Sequence, residues 1–255
     1  MREGMTQSLV IIVGLSFEAR IAGRIRAQVI CSGDGQNLAA SLTRAITKQC
    51  RGLISLGIAG GLLPNLSAGT CVIGSQIVDG TKRLMTDRSW SQSLLQAIPG
   101  SIYGKIVGVA APIPFPEVKH SLYLNTGAIA VDMESHVVGN AAVTNGLPFV
   151  AIRVISDPAE RSLPRVALAA MRPNGTVDCF AMVRSLMNHP REVRALAETA
   201  RDTFAAGITL SRVCSVFRSC NEPDVRSQAI TLKGAAMDAP LRPSLSCVYR
   251  KPYPR

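Results

Sequence analysis

Aromatic residues make up only 4% of this 255-residue chain, and histidine occurs three times. So few rings leave little material for the stacking platforms on which single-strand nucleic-acid binders rely. Seven cysteines are present (Cys31, Cys50, Cys71, Cys179, Cys214, Cys220, Cys247), but there is no CxxC pair and no nearby histidine cluster. That pattern excludes the usual zinc frameworks, and an odd set of scattered thiols points to reduced cysteines and a cytoplasmic protein. No hydrophobic run approaches the roughly 20 residues a spanning helix needs. The apolar stretch near the start, Leu9 to Val13, is short and lacks a strongly basic lead, so it reads as a first strand and not as a signal peptide. Neither a GxGxxG fingerprint nor the lysine of a P-loop occurs, and no internal repeat is visible.

Acidic residues are also in deficit: 17 against 28 basic ones, a formal charge of +11. Before residue 214 the excess is spread over arginine-rich helix faces and not gathered into a stripe interleaved with aromatics, which argues for a solvated surface and against a nucleic-acid partner. Weak attraction to acidic lipid headgroups stays open.

With 47% hydrophobic residues, the chain can bury a full core built of Ala, Val, Leu and Ile. Strand and helix patterns alternate from the start. Leu9 to Gly14 reads as strand, Phe17 to Arg26 as helix, Gln28 to Cys31 as strand, Leu38 to Lys48 as helix and Leu53 to Leu56 as strand. Further strands are expected at Cys71 to Val78, Ile106 to Val109, Ile129 to Asp132 and Leu147 to Ile155. Helices are expected at Glu117 to Asn125, His136 to Asn145, Val166 to Met171, Val177 to Met187 and Glu192 to about Ala206. This rhythm predicts an α/β fold: one three-layer domain over residues 1–213, with a central mixed, largely parallel twisted sheet flanked by helices. From 214 to 255 Pro, Ser, Cys and Arg mix without a period, which predicts a basic, disordered or loosely attached tail.

Three segments stand out against this background. Gly57-Ile58-Ala59-Gly60-Gly61 follows a predicted strand, where glycines let backbone approach a ligand closely; a tight turn explains such a run about equally well. Val131-Asp132-Met133-Glu134-Ser135 and Arg153-Val154-Ile155-Ser156-Asp157 are separated by room for one helix and one strand. Asp157 then emerges at the carboxyl end of a buried strand, where open α/β sheets hold ligands. Singly, Asp157 reads as a strand-end cap and Glu134 as a helix-start charge favoured by the dipole. As a spaced pair they read as two carboxylates of one cleft. His136 is more simply structural, His120 and His189 have no partners at ligand spacing, and no metal site is expected. Trp90 reads as a core or interface anchor.

The three segments in this order, with Pro64, Leu66 and Gly69 after the first, resemble the purine nucleoside phosphorylase and nucleosidase superfamily, including the 5'-methylthioadenosine/S-adenosylhomocysteine nucleosidases. The likeness spans roughly Leu9 to Ala206. A closer resemblance is to the hopanoid-associated phosphorylases, which act on adenosylhopane. It is carried by Gly14-Leu15 with Phe17 to Arg20, Val131 to His136, Asp157-Pro158-Ala159 with Leu163-Pro164, and the stretch from Gly175 to Pro190.

The resemblance implies cleavage of the N-glycosidic bond of adenosylhopane, with release of adenine and formation of ribosylhopane or its 1-phosphate. The alternatives are a methylthioadenosine/S-adenosylhomocysteine nucleosidase or a general purine nucleoside phosphorylase. It places Asp157 at N7 of the base, Glu134 on the ribose hydroxyls, Met133 against the sugar face, and Ala59 and Gly60 beside the ribose or the nucleophile. Ser156 would hold Asp157 or the purine edge, while Pro112 and Ile113 lie in the segment covering adenine. Ile58 stands where the nucleosidases commonly carry Ser. Glu18 is the candidate to activate water, although it lies one residue closer to Gly14 than in the common nucleosidase pattern; Arg20 is the candidate to bind inorganic phosphate instead. Either reads equally well as a solvated residue of the first helix. No cofactor is implied beyond phosphate as a co-substrate. A homo-oligomer, an apolar 5' group on the nucleoside and peripheral contact with the inner membrane face complete the expectations.

Overall fold

The computed structural model describes residues 8–32, 35–170, 172 and 175–219. Its strands are β1 (Ser8–Val13), β2 (Gln28–Cys31), β3 (Cys50–Gly61), β4 (Cys71–Asp79), β5 (Lys82–Met85), β6 (Ile102–Gly108), β7 (Ala128–Asp132) and β8 (Phe149–Asp157). The helices are α1 (Ser16–Ala22), α2 (Gly35–Ala45), α3 (Arg88–Ala97), α4 (Pro116–Thr126), α5 (Ser135–Thr144), α6 (Arg165–Ala170), α7 (Cys179–Asn188) and α8 (Val193–Ser219), with a 3₁₀ turn at Pro190–Glu192.

The expected α/β architecture is present, as one mixed eight-stranded sheet between helical layers. β2, β1, β3 and β8 run parallel to one another. β4, β6 and β7 form a second parallel group, joined antiparallel to the first through the pairs β4–β8 and β3–β7. The pairings β3–β8–β4–β6–β7–β3 therefore close into a ring, which leaves β2 and β5 as the outer strands.

Alternation along β1 divides the core between two faces, as side chains two apart share one face of a strand. Val10 and Ile12 pack with Leu38 and Leu42 of α2 and Val138 and Ala142 of α5. Ile11 and Val13 pack with Ala22 of α1, Leu94 of α3 and Leu210 and Val213 of α8. A third cluster joins Leu62, Val78, Val107, Ala128 and Val131 beneath α4.

Four differences from the sequence expectation bear on the site. β3 does not stop at Leu56; it runs on through Gly57 to Gly61, so the glycine segment is strand and not a loop, and Gly60 and Gly61 pair with Val131 and Ala130 of β7. β8 begins and ends two residues later than expected and includes Ser156 and Asp157. β5 and α3, which had no counterpart in the sequence reading, follow β4; Asp87 caps α3 by accepting from the Trp90 N–H at 2.8 Å. Finally, α8 continues past Ala206 to Ser219 and buries Leu210, Val213 and Cys214, so the first residues of the expected tail are helix. The rest of that tail, 220–255, lies outside the described residues. Among the described residues no helix is long and apolar enough to cross a membrane.

Candidate active site

Three carboxylates gather where β1, β3, β7 and β8 end, and each sits against a glycine. A Cβ on Gly14 would lie 2.4 Å from Glu134 Oε1, one on Gly57 would lie 2.7 Å from Glu18 Oε1, and one on Gly60 would lie 3.4 Å from Asp157 Oδ2. The segment Gly57 to Gly61 is expected to admit a ligand; at Gly57 the space is taken by Glu18, while at Gly60 a Cβ would meet Val131 Cγ1 first, at 3.0 Å. None of the three has a positive φ, so room for a neighbour, not backbone conformation, selects glycine here.

Glu18 is the third residue of α1 and is 2% exposed. Its Oε2 accepts the N–H groups of Gly14 (2.9 Å) and Leu15 (2.8 Å), and its Oε1 accepts the N–H of Ile58 across the sheet (2.7 Å). It therefore satisfies free N–H groups at the helix start, the service of a capping residue, and ties α1 to β3 as well. A carboxylate offers about four acceptor positions; three are filled and one remains on Oε1. Burial pushes its pKa up, opposed by the three backbone N–H groups and by Arg153.

Glu134 stands at the start of α5 with its side chain 14% exposed. Burial holds its carboxyl well above the usual range; Arg153 opposes this, while Asp132 and Glu18 add to it. Arg153, from the middle of β8, is fully buried. It binds Asp132 through Nε and Nη2, donates to Ser55 Oγ at 2.7 Å, and lies 3.6 Å from Glu134 Oε2. Asp132 in turn accepts from the N–H and hydroxyl of Ser135, at 3.1 and 2.5 Å, and so holds the first turn of α5 and with it Glu134.

Asp157 ends β8 just after a bulge. Ala59 pairs with Ile155 but Gly60 with Asp157, which leaves Ser156 as the extra residue. Bulges of this kind re-aim side chains beside active sites. Ser156 is buried, its hydroxyl 3.5 Å from the Ala59 carbonyl. Asp157 Oδ2 meets Lys119 Nζ of α4 at 2.7 Å. Burial raises the Asp157 pKa, with Lys119 opposing most strongly, Asp202 adding to the rise and Arg161 opposing it.

The other expected residues lie on the elements around these acids and on the segment that follows β6, and Arg20 stands apart from them. Met133 is half-buried next to Glu134. Ala59 and Gly60 lie on β3 between Glu18 and Asp157. The segment holding Pro112 and Ile113 is hooked at both ends: Val109 donates to the Asp132 carbonyl at 2.8 Å, and Leu163 donates to the Pro114 carbonyl at 2.9 Å. Ile113 packs down onto the cluster under α4. Arg20 is exposed on α1, two residues beyond Glu18, and positions two apart on a helix face different ways.

Sequence reasoning passed over Arg153, Asp132 and Lys119. A signal existed for Arg153: a cation inside the run Val150 to Ile155 has to be paired when that strand is buried on both faces. Asp132 then follows as the partner nearest in the fold. Lys119 gave no such signal, because one lysine in a short polar helix looks like a surface residue. His136 Nδ1 is buried with no hydrogen-bond partner among the described residues. No group of three or more His, Cys, Asp or Glu side chains is placed to hold a metal among them either.

Known structures share this fold. The fold matches futalosine hydrolase of Helicobacter pylori (14% identity, 84% of this chain and 98% of that one, TM-score 0.63). It also matches S-adenosylhomocysteine nucleosidase from Streptococcus pyogenes in complex with 5-methylthiotubericidin (14%, 85% and 98%, TM-score 0.62). A third match is 5'-methylthioadenosine/S-adenosylhomocysteine nucleosidase from Streptococcus pneumoniae with a transition-state inhibitor (15%, 82% and 97%, TM-score 0.61). This is the fold of the nucleosidases. The profile of the Phosphorylase superfamily matches residues 13–188, and the chain belongs to that superfamily. It is accordingly an enzyme of the nucleoside phosphorylase/nucleosidase type.

Proposed function

We propose that the protein hydrolyses the N-glycosidic bond of adenosylhopane, releasing adenine and leaving ribosylhopane. The observation that carries the reading is the trio of acids on their glycines, Glu134 on Gly14, Glu18 on Gly57 and Asp157 on Gly60. Breaking the C1'–N9 bond leaves positive charge on the ribose and electrons on the purine, so a donor is needed at the base and anionic groups at the sugar. Asp157, whose pKa burial raises, donates to N7. Glu134 accepts the ribose hydroxyls while Met133 packs against the sugar, and Ala59, Gly60 and Ser156 form the floor. Pro112 and Ile113 cover the base. Glu18 uses its remaining acceptor position for a water and takes the proton that this water loses on attacking C1'.

Water is favoured over phosphate by charge. Glu18, Asp132 and Glu134 surround one guanidinium that is already paired, and Arg20 stands away from them. A phosphate dianion entering there finds that guanidinium already committed to Asp132.

The apolar 5' group rests on the resemblance to the hopanoid-associated enzymes and on one surface. Gly175 packs onto the Gly14 carbonyl, its own carbonyl accepting from Ser16 N–H at 2.9 Å, which brings the segment before α7 next to the acids. On α7 itself Phe180, Val183 and Met187 are exposed at helical spacing, an apolar row fit for a hydrocarbon tail or for the membrane face that supplies one. Ligand-bound neighbours support the second reading: the Streptococcus pyogenes relative is described with a 5-methylthio nucleoside analogue, and methylthioadenosine or S-adenosylhomocysteine would then be the substrate. Incubation with adenosylhopane and with methylthioadenosine, each with and without phosphate, decides between them. Phosphate-independent adenine release that prefers adenosylhopane is the expected result. Preference for methylthioadenosine gives the second reading, and strict phosphate dependence removes Glu18 as the base.

A further inference from the structure

Lys119 is the one fully buried lysine among the described residues, and its ammonium uses all three of its donors. They go to Asp157 Oδ2 at 2.7 Å, the Pro158 carbonyl at 2.9 Å and the Arg161 carbonyl at 2.9 Å. Enclosing an ammonium in the fold is strongly unfavourable unless its partners are well placed. The packing of α4 gives no reason for a lysine there, since Leu122 and Tyr123 make that helix's apolar contacts. The side chain instead reaches from α4 to the end of β8 and the turn behind it.

We propose that Lys119 is a positioning residue of the reaction, fixing one oxygen of Asp157 so that the other serves the departing base, and stabilising the negative charge that Asp157 acquires as its proton leaves. The inference rests on the proposed role of Asp157. Oδ2 is held by Lys119, while Oδ1 accepts no hydrogen bond from any described residue. As the C1'–N9 bond breaks, its electron pair goes to the purine and N7 takes the proton from Asp157. Water adds its oxygen to C1' and gives its proton to Glu18. Asp157 changes from neutral acid to anion within that step, and a fixed cation in contact with it stabilises the state in which this charge has begun to form. The charged groups facing Asp157 are Lys119 from α4, Arg161 from the turn and Asp202 from α8, and Arg161 is itself paired to Asp202. Lys119 is thus the cation free to act on the acid.

The test replaces Lys119 by methionine, which keeps the length of the side chain and removes the charge. For adenine release, kcat is expected to fall on the order of 10- to 100-fold with a smaller change in KM. The alkaline limb of the rate profile, set by loss of the Asp157 proton, is expected to move up by about one pH unit. Asp157→Asn combined with Lys119→Met is expected to be no slower than Asp157→Asn alone. An unmoved limb, or additive losses in the double variant, overturns the proposal. Should Lys119→Met not fold, Lys119→Arg carries the test: the charge keeps the limb in place while the wider group shifts the carboxyl and lowers kcat, and a wild-type kcat overturns the proposal. If the wild-type enzyme releases no adenine from any nucleoside, the reading of Asp157 as the acid fails on that result alone. The hold of Lys119 is then read from the Asp157 carboxyl carbon by NMR titration, where a midpoint higher in Lys119→Met supports it and an identical one overturns it.

Discussion

Glu18 and Glu134 are the same residue type within one cluster, yet their surroundings set them opposite requirements. Glu18 is held by three backbone N–H groups, whereas Glu134 has burial and two like charges against it and shares the Arg153 cation with Asp132. Substitution by glutamine should separate them. In Glu18→Gln an amide NH₂ must face at least one of those N–H donors, so the variant should lose about 1–3 kcal/mol, measured by urea denaturation at neutral pH. In Glu134→Gln the side chain mimics the protonated acid. A carboxyl whose folded pKa is raised gives its full stability below its unfolded value near 4.5 and loses it as pH rises through the folded value. The wild type therefore weakens along that window and the glutamine variant does not. Glu134→Gln should be the more stable protein at pH 8, by about 1–3 kcal/mol, the difference vanishing near pH 4, while adenine release is abolished. Gly14→Ala probes the same acid from the other side. Its Cβ would overlap Glu134 Oε1, and a displacement on the order of 1 Å predicts roughly a 100-fold lower kcat/KM.

At the scale of elements, alternation of strand and helix was legible because β1, α1, β2 and α2 each follow one period and are set apart by short breaks. The missed elements obey weaker signals. β5 is four residues, two of them charged, completing a hairpin around Gly80; α3 is marked mainly by its Asp87 cap. Glycine disfavours strands, which hides the second half of β3 in the sequence, but here Gly57 makes room for Glu18 and Gly60 for Val131. Asp157 and Glu134 were legible as a spaced pair, while the groups that govern them, Lys119 and Arg153, come from elements whose proximity only the sheet topology sets. α8 yields a prediction of its own. Its apolar face past Ala206 carries Leu210, Val213 and Cys214, all buried against β8 and its neighbours, and fully burying such a side chain stabilises by about 1.5–3 kcal/mol. A chain ending at Ala206 should lose several kcal/mol relative to one ending at Ser219 and fail to unfold cooperatively in a thermal scan.

For the molecule as a whole, Arg153 joins the separate parts of the site. It belongs to β8, its ion partner Asp132 to β7, its hydroxyl acceptor Ser55 to β3, and the acids it screens, Glu134 and Glu18, to the starts of α5 and α1. Three strands and two helices thus converge on one guanidinium, and these buried acids are tolerated in the fold because of it. Arg153→Met leaves Asp132, Glu134 and Glu18 buried without that cation, and breaking such a pair destabilises by about 3–5 kcal/mol. The sign of its pH dependence follows from the same geometry. Arg153 lowers the pKa of both glutamates, so its loss lets each rise further. The folded variant then holds protons that the unfolded chain releases near pH 4.5, and its stability falls more steeply than that of the wild type as pH rises. Urea denaturation at pH 5 and pH 8 should show a modest deficit at the lower pH and the full loss at the higher. Equal deficits at both would mean that Arg153 acts through packing and its bond to Ser55, and that the charge of the three acids does not bear on the fold.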